Sequence, residues 1–126
     1  MTLYYFCANR HVKRILHDGL CIGGVTVATD TGFRLHAGYS WLTLDGDPAR
    51  QSWATREMIR YSRTDWRLTI QIPESEEYRI LGRDALEAEL PGSGILFDGW
   101  PGSENWRVYH GYIPRSWIVA VDDMRR

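Results

Sequence analysis

The sequence predicts an α+β domain with a mixed, mainly antiparallel sheet and a few short helices. Residues 66–72 alternate apolar Trp66, Leu68 and Ile70 with polar side chains, which is the pattern of a half-buried strand. The helical patterns are short and do not alternate regularly with strands, so a doubly wound parallel sheet is not expected. The 126 residues, 44% of them hydrophobic and 25% charged, fit one globular domain over residues 1–126.

The N-terminal segment predicts a strand followed by a helix. Residues 2–6 are rich in aromatic side chains, which favour strands. Asn9 is expected to cap a helix over residues 10–18, because apolar residues recur there at helical spacing. Gly19 is expected to end that helix.

The next segment combines turns with weaker patterns. A turn at Gly23-Gly24 precedes a predicted strand over residues 25–28, and residues 29–38 predict a loop. Residues 39–43 predict the next strand. Asp47 followed by Pro48 is typical of a helix start, so we expect a helix there that includes Trp53.

The C-terminal half predicts one more helix and several strands. Pro73 ends the strand over residues 66–72, and residues 84–90 predict a short helix with Leu86 and Leu90 facing inward. Further strands are expected over three ranges: residues 95–97, 106–109 and 118–121.

Composition argues against several functional classes. A net charge of −1, with acidic and basic residues interspersed, does not favour a nucleic-acid partner, although arginines would allow a local basic patch. The two cysteines form no C-x-x-C pair and no His/Cys cluster, so no metal site is expected. The sequence has no signal-peptide pattern and no apolar run of membrane-spanning length. We therefore expect a cytoplasmic protein without a membrane partner.

Three short motifs together point to a family. The first is LYYFC at residues 3–7, followed by a helix that ends in ILHDGL at residues 15–20. The second is the aromatic strand YSWLT at residues 39–43, and the third is Glu104 just before a late strand, with a Gly/Pro turn over residues 111–118. This arrangement resembles ADP-ribosyltransferase-like domains, which include DNA-modifying toxins and RNA 2′-phosphotransferases.

The resemblance implies a split sheet and NAD as a substrate. Tyr5 stands where the family has histidine, and it would contact the adenosine half of NAD. Tyr39 and Trp41 would frame the nicotinamide, and Thr43 would help to hold the ribose. Because tyrosine cannot supply a cation, Arg34, or else Arg10, His11 or His36, would supply charge to the pyrophosphate.

The resemblance also gives Glu104 a catalytic role. Its carboxylate would stabilise the oxocarbenium-like transition state that forms as nicotinamide leaves, since such a state needs a fixed negative group nearby. The product would be a protein or nucleic acid carrying ADP-ribose, so the implied partners are NAD and a macromolecular acceptor.

Other interpretations of the same residues stay open. Tyr5 would also fit a core position, and Glu104 a solvated loop. The chain would equally suit a catalytically inactive member of the fold that binds a host protein, as an inhibitor encoded by a phage or mobile element would. A third interpretation is an enzyme of the RNA 2′-phosphotransferase kind, which needs several arginines around a phosphate.

Overall fold

A six-stranded sheet forms the centre of the computed structural model, which describes residues 1–20, 23–50 and 63–125. Its strands and a separate two-stranded hairpin are joined by two α-helices and several short 3-10 turns. The strands are β1 Thr2–Cys7, β2 Gly24–Thr29, β3 Gly32–Ala37, β4 Tyr39–Thr43, β5 Trp66–Gln71, β6 Ile80–Leu81, β7 Trp106–His110 and β8 Ile118–Asp123. The helices are α1 Asn9–Asp18 and α2 Arg83–Glu89.

The large sheet has the order β6-β7-β4-β1-β5-β8, and β2 and β3 form the hairpin. All pairings among the described strands are antiparallel. The structure therefore has the predicted α+β class with a mainly antiparallel sheet and few helices.

Both faces of the large sheet are covered. Val12 and Ile15 of α1 pack on one face with Leu3 and Ile70. The other face packs against the hairpin and α2, through residues that include Val25 and Leu86. Adjacent residues Val108 and Tyr109 are buried on opposite faces, because side chains alternate along a strand.

The strongest sequence patterns give the strands that they predict. The alternation at residues 66–72 becomes β5, in which Leu68 and Ile70 are fully buried. The strands predicted at residues 2–6, 39–43, 106–109 and 118–121 are also present. Gly19 ends α1 with a φ of 80°, a backbone conformation that glycine tolerates.

The prediction of a loop over residues 29–38 was wrong. Asp30 and Thr31 make a two-residue turn, and β3 pairs with β2 from Thr29↔Gly32 to Gly24↔Ala37. Phe33 and Leu35 of β3 are 81% and 66% exposed. Phe33 and Leu35 alternate with Arg34 and His36 as in a strand, but the run is short and lies between Gly32 and Gly38, which favour a loop.

The prediction of a strand over residues 95–97 was also wrong. Gly94–Phe97 is a 3-10 helix. The carboxylate of Glu87 accepts hydrogen bonds from the backbone N–H groups of Gly92 (3.0 Å) and Gly94 (2.7 Å), which holds this chain segment in a tight turn against α2.

Two predicted helix starts differ in detail. Asn9 is the first residue of α1 and not its cap; the cap position is Ala8, and the Asn9 side chain instead accepts a hydrogen bond from Trp66 Nε1 at 2.8 Å. Asp47 does accept a hydrogen bond from Ala49 N–H (2.9 Å) at the start of a 3-10 helix, Pro48–Arg50. The rest of that predicted helix, with Trp53, lies outside the described residues.

None of the helices in the described ranges has the length and apolar character needed to cross a membrane.

Candidate functional site

A cleft lies where β1 and β4 separate. β1 pairs with β5 along its whole length, from Thr2↔Gln71 to Cys7↔Trp66, whereas its register with β4 consists of Tyr4↔Thr43. Past that bridge, residues 5–7 and residues 40–42 border a gap in the sheet. A cavity of about 720 Å³ occupies this gap, which is the size range of small-molecule sites.

The lining of the cleft is aromatic, with a few polar groups. The strands contribute most of it, and residues from α1, one 3-10 helix and two loops complete it. The lining residues are Tyr4, Tyr5, Phe6, Cys7, His11, Gly24, Thr26, Trp41, Leu42, Thr43, Arg63, Leu96, Trp100 and Trp106.

Tryptophan side chains form one wall of the cleft in fixed orientations. The rings of Trp41 and Trp106 meet edge to face with centroids 6.2 Å apart, and Trp100 lies 6.4 Å from Trp106. Trp41 Nε1 donates a hydrogen bond to Gly24 O at 3.1 Å. Because these contacts hold the rings in place, the wall is preorganised to stack against a planar ligand.

Three of the predicted cofactor residues line this cleft, with Tyr5 packed against the α1 side of the core and Trp41 against the hairpin side. Tyr5, Trp41 and Thr43 all line it, although they come from two strands that are far apart in the sequence. Burial raises the pKa of the Tyr5 phenol, so this group remains a hydrogen-bond donor at neutral pH. The Thr43 hydroxyl accepts a hydrogen bond from Asp45 N–H at 3.0 Å, which leaves its own proton as a donor.

The structure places Tyr39 away from the cleft lining. Its side chain is buried, its hydroxyl donates to Glu89 at 2.7 Å, and its ring stacks on His110 at 4.3 Å. Burial, and then the hydrogen bond to Glu89, raises the pKa of Tyr39 to about 12. These contacts tie β4 to α2 and β7.

Arg34 and Glu104 also lie outside the lining. Arg34 is exposed on β3, opposite Val27. Glu104 is exposed in the 3-10 turn Ser103–Asn105, between the lining residues Trp100 and Trp106. Glu104 therefore borders the cleft along the chain, with its side chain on the solvent side.

Cys7 lines the cleft as a thiol and not as a thiolate. Burial, and then the negative charge of Asp65, raises the pKa of Cys7 to about 11. A nucleophilic cysteine needs a lowered pKa, so this side chain contributes apolar wall and no nucleophile. Among the described residues, histidine, cysteine and acidic side chains form no group of three suited to a metal ion.

Sequence reasoning missed one cleft residue altogether. Arg63 lies three residues before β5, and no local motif marks it. Its position follows only from the pairing of β5 with β1, which brings the start of β5 beside Cys7.

Comparison with protein-family models, with curated proteins and with solved structures finds no significant match to this chain.

Proposed function

We propose that this protein binds NAD in the cleft between β1 and β4 and transfers its ADP-ribose group to a macromolecular acceptor. The observation that carries the proposal is the convergence of Tyr5, Trp41 and Thr43 on one aromatic cleft. The motif resemblance assigns the same three residues to NAD. The proposal therefore joins a sequence pattern to a cavity of suitable size and chemistry.

The tryptophan wall suits the oxidised nicotinamide ring. That ring is planar and carries a positive charge, and a cation placed over an indole face is stabilised by about 0.5–2 kcal/mol. Trp41 and Trp106 both line the cleft, and their rings contact each other edge to face. The hydroxyl groups of Thr43 and Tyr5 would serve the ribose as polar partners.

In the proposed reaction, the bond between the ribose C1′ and the nicotinamide nitrogen breaks and its electron pair leaves with nicotinamide. A lone pair of the acceptor then forms the new bond to C1′, and the acceptor loses its proton. The Glu104 carboxylate would stabilise the positive charge that develops on the ribose. Because Glu104 lies on the solvent side of the segment between Trp100 and Trp106, this role requires the ribose to sit at the cleft mouth.

The test is a titration with NAD, followed by tryptophan fluorescence and by nicotinamide release in the same samples. We expect saturable quenching and slow release. Glu104→Gln should remove release and leave quenching unchanged, whereas the control Glu74→Gln, at an exposed position in another 3-10 turn, should change neither. Release that survives Glu104→Gln would remove Glu104 from the mechanism.

One observation favours a second function, that of a catalytically inactive binding protein. No carboxylate lines the cleft within the described residues, and Phe33 and Leu35 are largely exposed on the neighbouring hairpin. Exposed apolar side chains of this kind mark interaction surfaces. Under this alternative, NAD would quench the fluorescence without nicotinamide release in the wild-type protein, even when candidate acceptor proteins are added.

A further inference from the structure

The cleft has two chemically different ends. Thr43 pairs with Tyr4 on one side and with Trp106 on the other, so Trp106 lies level with the Tyr4 end of β1, and Trp41 lies two residues further along β4, toward the level of Phe6. Cys7 pairs with Trp66 at the opposite end of the strand. At about 3.3 Å per residue, these two positions on β1 lie about 10 Å apart.

The Cys7 end of the cleft carries one permanent cation, Arg63, and one titratable group, His11. Arg63 precedes β5, which pairs with this end of β1, and His11 lies in the first turn of α1, immediately after β1. Both side chains line the cleft. Among the ion pairs of the described residues, none involves Arg63.

We infer that the Cys7 end of the cleft is an anion subsite in which Arg63 and protonated His11 bind the pyrophosphate of a nucleotide. This inference rests on the proposed function for the identity of the nucleotide, and it assigns residues that no motif of the resemblance includes. Arg63 takes the place that the sequence had suggested for Arg34, which lies outside the lining. A guanidinium fork matches two phosphate oxygens at once, which gives Arg63 both charge and geometry for this task.

In the empty cleft, the surroundings of His11 disfavour its charged form. Arg10 Nε donates a hydrogen bond to His11 Nε2 at 3.3 Å, so that ring nitrogen acts as an acceptor. Burial, and then the charges of Arg10 and Arg14, lowers the pKa of His11. A bound pyrophosphate would reverse this balance, because its negative charge favours the imidazolium and competes for the arginines.

The other charged groups at this end leave the balance in favour of an anion. Asp65 is the nearby carboxylate, and it accepts the Asn9 N–H at 2.9 Å, which satisfies the start of α1. Arg125 interacts electrostatically with that same carboxylate. The raised pKa values of Tyr5 and Cys7 keep both groups uncharged at neutral pH.

Substitutions of Arg63 and of His11 should change the binding of ADP-ribose in different ways. Arg63→Gln should weaken the binding of ADP-ribose about tenfold, as expected for the loss of a charge-assisted hydrogen bond. Arg63→Lys should give an intermediate affinity, because it keeps the charge and loses the fork. Arg115→Gln removes an equal charge from an exposed position outside the lining and should leave the affinity within about twofold, since salt screens distant charges.

Protonation of His11 should make the affinity for ADP-ribose depend on pH. Where one proton is taken up on binding, the affinity rises by at most tenfold for each unit that the pH falls. We expect ADP-ribose to bind more tightly at pH 6 than at pH 8 in the wild-type protein. His11→Gln should remove that slope, and His17→Gln, at the exposed far end of the same helix, should keep it.

The experiment is calorimetric titration of the full chain with ADP-ribose, whose diphosphate does not titrate in this pH range. Two buffers of different ionisation enthalpy report the proton uptake directly. Equal losses in Arg63→Gln and Arg115→Gln, an unchanged slope in His11→Gln, or no binding of ADP-ribose to the wild type would each overturn the subsite.

Nicotinamide release from NAD, measured on the same preparations, separates this inference from the proposed function. Binding of ADP-ribose that depends on Arg63, without any release, would support the subsite and contradict the transferase. Release with binding that does not depend on Arg63 would contradict the subsite alone.

Discussion

The two edges of β1 differ sharply. The edge toward β5 is paired over six consecutive residues, and the β5 side chains behind it, such as Leu68 and Ile70, are fully buried. The edge toward β4 has Tyr4↔Thr43 as its register and then opens into the cleft. One strand thus serves the core on one side and a cavity on the other, which separates the residues that stabilise the fold from those that would bind a ligand.

The largest expected effect is a loss of stability from a substitution in β5, at the paired edge of β1. Leu68→Ala removes a fully buried side chain from the core between β5 and α1, and it should lower the free energy of unfolding by about 2–5 kcal/mol. Urea denaturation measures this loss. Leu35→Ala on the exposed strand β3 is the control and should change stability by less than about 0.5 kcal/mol. Similar losses in both variants would contradict the assignment of the core.

The next largest effect distinguishes the two ends of β4, because Tyr39 should affect stability, whereas Trp41 and Thr43 should affect NAD binding. Tyr39→Phe removes the hydroxyl that donates to Glu89 and should cost about 1–2 kcal/mol of stability, while NAD binding at Trp41 and Thr43 stays unchanged. Because the folded state raises the pKa of Tyr39 to about 12, its contribution is complete below the unfolded value of 10.0 and is lost between those two pH values. Thermal unfolding of wild type and variant from pH 8 to pH 12 tests this, and parallel curves would refute it.

A smaller effect, on NAD binding, is expected at the edge of β1 that faces β4. Tyr5→Phe keeps the ring and removes the phenol hydroxyl, so it should leave thermal stability nearly unchanged and weaken NAD binding by about two- to tenfold. Tyr78→Phe, at an exposed position outside the cleft, should do neither. The fluorescence titration measures both affinities. A large loss of stability in Tyr5→Phe would instead favour its interpretation as a core residue.

The smallest effect concerns the segment that carries Leu96 into the cleft lining. The N–H groups of Gly94 and Gly92 lower the pKa of the Glu87 carboxyl. Glu87 therefore contributes stability that is complete above its unfolded pKa and is lost as the pH falls through the lower folded value. Glu87→Gln should show a slightly lower melting temperature than wild type at pH 7, and the difference should shrink as the pH falls and Glu87 is protonated. A constant difference would exclude this linkage.

Many strands of the sheet could be predicted, because apolar residues at every second position indicate a strand with one buried face. β5 alternates between a buried and a more exposed face, and its limits follow from that pattern. β3 escaped prediction although Phe33 and Leu35 alternate with polar residues, because the run is short and flanking glycines favour a loop. The segment 95–97 escaped because its conformation depends on the distant carboxylate of Glu87 and not on its own apolar residues.

The candidate site divides in a similar way. Tyr5, Trp41 and Thr43 lie on strands that local patterns identify, and the structure brings them to one cleft. Arg63 reaches the same cleft through the β1–β5 register, which no local pattern specifies. Tyr39 has the same strand parity as Trp41, yet the stacking with His110 and the bond to Glu89 direct it to other partners.

The glycine pair before β2 limits how this protein can diverge. A Cβ atom at Gly23 would overlap the Tyr39 carbonyl oxygen, and one at Gly24 would lie 3.0 Å from His36 O and 2.7 Å from Leu35 Cδ1. A larger residue at position 23 would push the chain away from β4, whereas one at position 24 would crowd β3 within the hairpin, beside the cleft wall that Gly24 helps to form. Descendants of an ancestor with this cleft should therefore keep the pair while the exposed face of β3 drifts, so Gly-Gly placed some fifteen residues before an aromatic strand offers a fingerprint for finding distant relatives.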